Sequence, residues 1–428
     1  MKTANGFKKN IVAHAISVVF GTAAFVSLMP TVSYAQSNTT GTIYGQVPVS
    51  TASQYSVILE NLGTGTERKI TPDASGKYQA TSMPPGHYKV RLMNADKEET
   101  TLEVEAVIGS GVEASFVENK DKVQTVVITS KPRGVDVSTT NNGAVFTAKQ
   151  LDNLPMGQST GSIILLAPGT NASVGNYSAA PSFGGAGASE NAYYINGFPV
   201  VNGRSGIGFT DLPFGAIQNA QILTGGYGAE FGNSTGGVSN ITTKSGTNTW
   251  EVGAKYEYTP ESLRAKPLDT YYPNTGANPL TDGKLYRYNQ SNTSDSHLSA
   301  AYLGGPLIKD KLFLFGAVQD THSSSGYVGS TSANPTSPGG WGQSSSDTLR
   351  YLVKLDFNLN DDNHFEYTRI YDGVKANSQS YGYNYATLSR NNVQSSNINY
   401  VNCCENNGQG ADPGAADNIF GSSDFSVG

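Results

Sequence analysis

From Thr348 to Leu359, the apolar or aromatic residues Leu349, Tyr351, Val353, Leu355, Phe357 and Leu359 alternate with the polar Thr348, Arg350, Lys354, Asp356 and Asn358. A period of two predicts a long strand with two unlike faces, ended by a tight turn at Asn360-Asp361-Asp362-Asn363. Leu352 is the single apolar residue on the polar face. Similar candidate strands lie at 250–259, 296–303, 311–319 and 364–371. The connections between these five contain, in chain order, 36, 7, 28 and 4 residues.

Long and short connections in strict alternation suit an antiparallel sheet with tight turns on one rim and long loops on the other, which is how transmembrane β-barrels are built. On a barrel's lipid side a midplane Arg or Lys costs about 2–4 kcal/mol. The odd face of 348–359 is therefore expected to meet lipid, and the even face, with Arg350, Lys354 and Asp356, the lumen.

The N-terminal part reads differently. Residues 37–118 alternate short apolar runs (TIYGQV, QYSVILEN, TERKITP, GKYQATSMPPGHYKVRLM, TLEVEAVI, VEASFVE) with turn signals. Such spacing predicts about seven strands and a small β-sandwich. A polar linker, 119–143, follows and contains one apolar run, Thr125-Val126-Val127-Ile128-Thr129. That run is either a last sandwich strand or a segment that adds a strand to another protein.

From 144 to 246 the texture changes again. Thr147-Ala148-Lys149-Gln150 fits a capping box opening a short helix before Pro155, and SIILLAPG reads as a second helical turn. Fourteen glycines in residues 181–240 predict compact turns and short strands with close backbone approach.

Composition sharpens this picture. Only 14% of residues are charged, 49 are Gly and 24 are Tyr, which suits strands and turns. A mean hydropathy of −0.34 excludes a bundle of membrane helices. Lys2, Lys8 and Lys9, an apolar Ile11–Leu28 run and Ser33-Tyr34-Ala35 have the form of a secretory signal peptide over residues 1–35. Its removal takes the net charge from −6 to −9 and leaves no basic stripe for nucleic acid.

Candidate chemistry is sparse. Gly157-Gln158-Ser159-Thr160-Gly161 and Gly232-Asn233-Ser234-Thr235-Gly236 match a nucleophile elbow in letters but lack its strand-to-helix context, so no enzyme is expected. His14, His87, His297, His322 and His364 show no metal-ligand spacing, and Asp361-Asp362 lacks the spacing of a calcium loop. Adjacent Cys403 and Cys404 cannot define a metal site; in an oxidising compartment they form a strained vicinal disulfide or await other partners. No metal or other cofactor is expected.

Three ordered blocks carry a resemblance. PDASGKYQATSMPPGHYKVRL, with Asp73, Gly76, Tyr78, Pro84-Pro85-Gly86 and Tyr88, resembles the carboxypeptidase regulatory-like domain, a name for a fold and not for peptidase chemistry. NAYYINGFPV and IQNAQILTGGYGAEFGNSTGGVSNITTKSGTN resemble the plug domain of TonB-dependent outer-membrane receptors, with Asn196, Gly197, Gly225, Gly226, Tyr227, Glu230, Gly236 and Gly237 as its motif positions. YLGGPLIKDKLFLFG resembles the Oar-like subgroup. Two departures stand out. Asn196 occupies a turn where the family often has aspartate, and Thr224-Gly225-Gly226 replaces a common Arg-Gly-Pro, so any ion pair of that arginine is missing.

The resemblance implies a mainly β protein: signal peptide, sandwich (37–118), linker with a TonB box (119–143), α+β plug (144–246) and the N-terminal part of an antiparallel transmembrane barrel (247–428). It implies outer-membrane placement with the N-terminal domain in the periplasm, and uptake of an external oligosaccharide, peptide or siderophore driven by the inner-membrane proton gradient. A TonB-type protein would pair with Thr125, Val126, Val127, Ile128 and Thr129. The alternative is an adhesion or recognition protein on the same scaffold without transport. Loops at 260–295, 320–347 and 372–428, rich in Tyr, Asn, Ser and Gly, suit either ligand contact or interfacial girdles. Five strands cannot close a barrel, so the chain is expected to be a piece of a longer receptor.

Overall fold

The computed structural model describes residues 38–48, 54–94, 97–116, 141–154, 159–172, 181–201, 209–232, 234–331, 340–360, 363–402 and 418–425. The expected signal peptide, the Thr125–Thr129 run and Cys403-Cys404 lie outside them.

Seven strands come first: β1 (Gly41–Gln46), β2 (Tyr55–Asn61), β3 (Glu67–Ile70), β4 (Lys77–Met83), β5 (Gly86–Asn94), β6 (Lys97–Ala106) and β7 (Gly111–Glu113). They form two sheets, β4-β1-β7 and β3-β2-β5-β6. Alternate residues Ile43, Val57, Leu59, Tyr78, Ala80, Val90 and Leu92 close the core between them. The quoted motif is turn chemistry. Asp73 Oδ1 accepts the amides of Ser75 (2.8 Å) and Lys77 (2.9 Å), and Gly76 takes φ +77°, which glycine adopts without strain. The Ser75 hydroxyl and the Lys77 amide hold the Asp73 carboxyl below the usual carboxylate range. The Tyr88 hydroxyl donates to Pro84 O at 2.9 Å, tying the Pro-Pro-Gly turn to β5.

The central domain contains β8 (Asn142–Thr147), α1 (Ala148–Asp152), α2 (Thr160–Ile164), β9 (Thr170–Asn171), β10 (Ser182–Phe183), β11 (Ala192–Ile195), β12 (Phe198–Pro199), β13 (Ile217–Gly225) and β14 (Val238–Thr243). Its main sheet runs β12-β11-β14-β13-β8, with β11 parallel to β14. The Thr147 amide donates to Gln150 Oε1 at 2.9 Å, and Ser159 Oγ accepts the Ser162 amide at 3.2 Å, so both short helices start on capping side chains.

The C-terminal part is a wall of long antiparallel strands: β15 (Glu251–Thr259), the small hairpin β16 (Thr270–Tyr271) and β17 (Leu285–Arg287), then β18 (Thr293–Ile308), β19 (Leu312–Val328), β20 (Trp341–Asn360), β21 (Asn363–Asn384), β22 (Ser389–Asn402) and β23 (Asn418–Phe425). The order is β15-β18-β19-β20-β21, with β22 and β23 pairing different halves of β21. Among the described residues, no helix is long and apolar enough to cross a membrane.

Two expectations are corrected here. The strands run well beyond their apolar stretches, so the supposed loops at 320–347 and 372–428 contain long stretches of β-ladder. The strict alternation also ends early: the β18–β19 turn at 309–311 and the paired ends Asn360 and Asn363 of β20 and β21 mark one rim, and the β15–β18 and β19–β20 links the other, but β21 and β22 join through 385–388 alone. The reason is chemical. Ser, Asn, Gln and Thr pair backbones as well as Leu and Val do, so the ladder continues where apolar periodicity stops.

Candidate functional site

The wall has an inverted pattern. On β20, Leu349, Val353 and Leu359 are 43%, 37% and 53% exposed, while Lys354 and Asp356 between them are 5% and 3% exposed. A water-soluble sheet would bury the first set and expose the second. Cross-strand register extends the outward set to Leu314, Val318, Phe365, Tyr367 and Tyr371, with Tyr351 stacked on Tyr371 at 5.0 Å. Arg369 shares this outward face, directly opposite Val353.

The even face meets the central domain. Leu352, the lapse in the alternation, belongs with Phe315, Ala317 and Ile370 to one core shared with Ile163, Tyr193, Ile195, Ala220, Ile222 and Ile241 of the central domain. Leu352 is 0% exposed, so it obeys the fold and breaks only the alternation. Burial pushes the Tyr193 hydroxyl up to about 12.

Among the described residues, polar contacts at three places join the domain to the wall. At the first, Arg350 donates from Nη2 to Asp211 Oδ2 (2.9 Å) and from Nε to Asp372 Oδ1 (2.8 Å). The Asp211 amide donates to Asp372 Oδ2 (2.9 Å) and the Thr160 amide to Asp211 Oδ1 (2.7 Å). At the second, the Phe214 amide donates to Gln319 Oε1 (2.9 Å), while Tyr302 takes the Phe214 ring at 6.1 Å and the Lys244 ammonium at 4.9 Å.

The third surrounds Asn196. This residue sits at φ +49°, which Asn tolerates better than most residues. Its Nδ2 donates to Glu366 Oε1 (2.9 Å) and Thr243 Oγ1 (2.9 Å), and its Oδ1 accepts the Thr243 amide (2.9 Å). On the wall side, Lys354 Nζ lies 3.1 Å from Glu366 Oε2 and 3.8 Å from Asp356 Oδ1, and His364 Nε2 is 3.4 Å from Asp356 Oδ1. Register thus gathers Asp356, His364 and Glu366, a set whose atoms lie close enough to hold a metal ion and which sequence spacing did not reveal. The Lys354 ammonium already supplies a cation to both carboxylates, which makes the group an ion-pair cluster.

The remaining motif positions form a second group on the central domain. Gly225 ends β13 and Gly226 turns at φ +69°. The Tyr227 hydroxyl donates to Ser234 Oγ (3.2 Å), and its ring meets Phe231 edge-on. A Cβ on Gly237 would fall 2.3 Å from the Phe183 ring, and one on Gly236 would fall 2.4 Å from Asn191 Oδ1, so both glycines are required by close approach. Glu230 is exposed beside them. The motif therefore divides: Asn196 and Gly197 face the wall side and the N-terminal sandwich, while Gly225 to Gly237 shape a turn elsewhere. Both elbow-like serines serve turns, Ser159 as a cap and Ser234 by donating to Gly237 O at 2.9 Å.

At the far rim, Trp341, Tyr383 and Val328 pack with Tyr288, Tyr381 and Tyr385. The Tyr272 hydroxyl donates to Thr331 O (2.8 Å), and the Val328 amide to Asn292 Oδ1 (2.8 Å). These aromatics fasten the 260–292 connection to the wall, whereas Tyr271 and Tyr327 stay exposed.

Residues 136–238 match the family model described as TonB-dependent Receptor Plug Domain. The chain is 28% identical over 319 residues to the TonB-dependent transporter Oar of Myxococcus xanthus, an alignment covering 70% of this chain and 27% of that protein. It thus spans about a quarter of the length of the curated relative it matches. Among solved structures, it is similar to the siderophore receptor PirA from Acinetobacter baumannii (16% identity, 60% of this chain and 43% of that one, TM-score 0.33). It is also similar to the outer membrane transporter YddB from Escherichia coli (14% identity, 57% and 37%, TM-score 0.39). TM-scores this low place no element of the chain.

Proposed function

The chain carries a TonB-dependent receptor plug domain and resembles Oar-like TonB-dependent receptors, and from that premise we propose that it takes up an external ligand across the outer membrane with energy delivered from the inner membrane. The supporting observation is the wall's inverted pattern, with apolar side chains turned outward and charges buried against the plug. A lipid solvent outside and a plug in the lumen account for both faces, Arg369 on the outward face apart. The rim with the 309–311 turn and the paired Asn360 and Asn363 is then periplasmic, and the rim with Trp341 and Tyr383 is external.

In this reading, Thr125, Val126, Val127, Ile128 and Thr129 form the strand that a TonB-type protein grips by main-chain pairing. The ligand, an oligosaccharide, peptide or siderophore, meets the plug from the external side. Asn196, Gly197, Gly225, Gly226, Tyr227, Glu230, Gly236 and Gly237 serve to shape the plug and hold it in place.

The test is in-cell cross-linking of Thr125→Cys to a cysteine on the pairing strand of the TonB-type protein, with and without Val127→Pro. Proline removes a ladder donor and should abolish the cross-link. A cross-link that survives the proline, or that never forms, overturns the assignment.

A further inference from the structure

We propose that the N-terminal β-sandwich is a detachable cap on the lower face of the plug sheet; calling that face periplasmic rests on the function proposed above. The two faces of this sheet differ. One presents Ala220, Ile222, Ile241 and Ile195 to the permanent core against the wall. On the other, β13 and β14 register places Asn219 opposite Thr242 and Gln221 opposite Asn240. All four are buried, at 1%, 5%, 2% and 0% exposure. Further along the same face, Leu223, Val238, Ala192 and Tyr194 form an apolar cluster with Phe231, so only the lower half is polar.

The sandwich sits on that polar half. Asn240 Nδ2 donates to Asn38 O, and a Cβ on Gly109 would fall 2.0 Å from Gln221 Nε2. Its β2–β3 turn is pinned beside the plug's exit: Gly63 O accepts the Asn248 amide at 2.7 Å, and Asn248 Nδ2 donates to Asp310 Oδ1 at 2.7 Å. Asn219 Oδ1, Asn240 Oδ1 and Thr242 Oγ1 have no hydrogen-bond partner in this buried layer.

A buried polar atom without a partner is destabilising, and water removes that cost. At Asn240, which lies under Asn38, the penalty exists only while the cap is seated, which opposes the docking contacts and keeps the two states close in free energy. A permanent interface would gain from apolar residues at these positions, as the opposite face shows. The cap precedes and the plug follows Thr125–Thr129 in the chain, so force on that strand acts across this interface.

Gly63 and Thr247 provide a lock, because a Cβ on Gly63 would lie 3.8 Å from Thr247 Cβ, within disulfide range. The experiment uses the full chain with Cys403→Ser and Cys404→Ser, and maleimide labelling of Asn240→Cys with or without the Gly63→Cys/Thr247→Cys pair. Labelling is expected to proceed in the unlocked protein, to slow at least tenfold once the pair is oxidised, and to recover with reductant. Ile222→Cys on the opposite face should stay unlabelled throughout, which excludes unfolding of the plug. No labelling in either state would mean a permanent interface and overturn the proposal. Free labelling with no disulfide formed would mean that the cap never seats, which overturns it equally. Neither outcome bears on the Thr125 cross-link, so the two readings fail separately.

Discussion

Arg350 of the wall and Asp211 of the plug meet with Nη2 and Oδ2 2.9 Å apart, and Asp372 closes the ring by binding both Arg350 Nε and the Asp211 amide. The plug lacks an arginine at Thr224-Gly225-Gly226, and here the wall supplies the cation while the plug supplies the carboxylate. The Arg350, Asp211 and Asp372 side chains are only 17%, 17% and 8% exposed. Arg350→Met leaves two facing carboxylates without their cation and should destabilise the plug–wall junction by about 3 kcal/mol. Hydrogen exchange at the Thr160 amide, which donates to Asp211, should accelerate by roughly a hundredfold for that loss; unchanged exchange would show that the ion pair does not hold the plug.

Asn196 should resist exchange for the aspartate that plug domains resembling this one often carry at the same turn. Its Nδ2 donates to Glu366 Oε1 at 2.9 Å, so Asn196→Asp replaces a donor with a second carboxylate. The expected cost is about 2 kcal/mol, and Glu366→Gln in the same protein should recover most of it. Denaturation of the two single variants and the double variant measures this coupling; additive effects would refute it.

Leu352 and Val353 are neighbours with opposite environments. Leu352→Ala opens a cavity in the core shared by plug and wall and should cost about 2–5 kcal/mol. Val353→Ala changes a 37% exposed outward position and should cost less than about 1 kcal/mol in detergent. Equal effects would mean that β20 is not oriented as described.

Tyr88 makes the sandwich sensitive to alkali. Burial pushes its hydroxyl from 10.0 to about 12. Between those values the unfolded chain loses its proton while the folded one keeps it, so stability is intact below pH 10 and falls as pH rises, by about 1.4 kcal/mol per unit. Urea unfolding at pH 9 and pH 11 should show the loss, and Tyr88→Phe should reduce it; an unchanged slope in that variant would assign the effect elsewhere.

The sequence by itself determined the strands of the sandwich and wall, the two faces of 348–359 and the resemblance to a plug. Each rests on local rules: a period of two, Asp73 and Gly76 in a turn, or a run dense in glycine. It also showed that Arg350, Lys354 and Asp356 belong inside. Only the tertiary structure decided what they meet there. Asp211 lies 139 residues from Arg350, and Asn196 lies 170 from Glu366; no local pattern couples positions so far apart. The same holds for the length of the wall strands, because backbone pairing needs no apolar side chain, and for the cap. Alternation makes Asn219, Gln221, Asn240 and Thr242 one face, but it takes the folded chain to show that another domain meets Gln221 and Asn240 there.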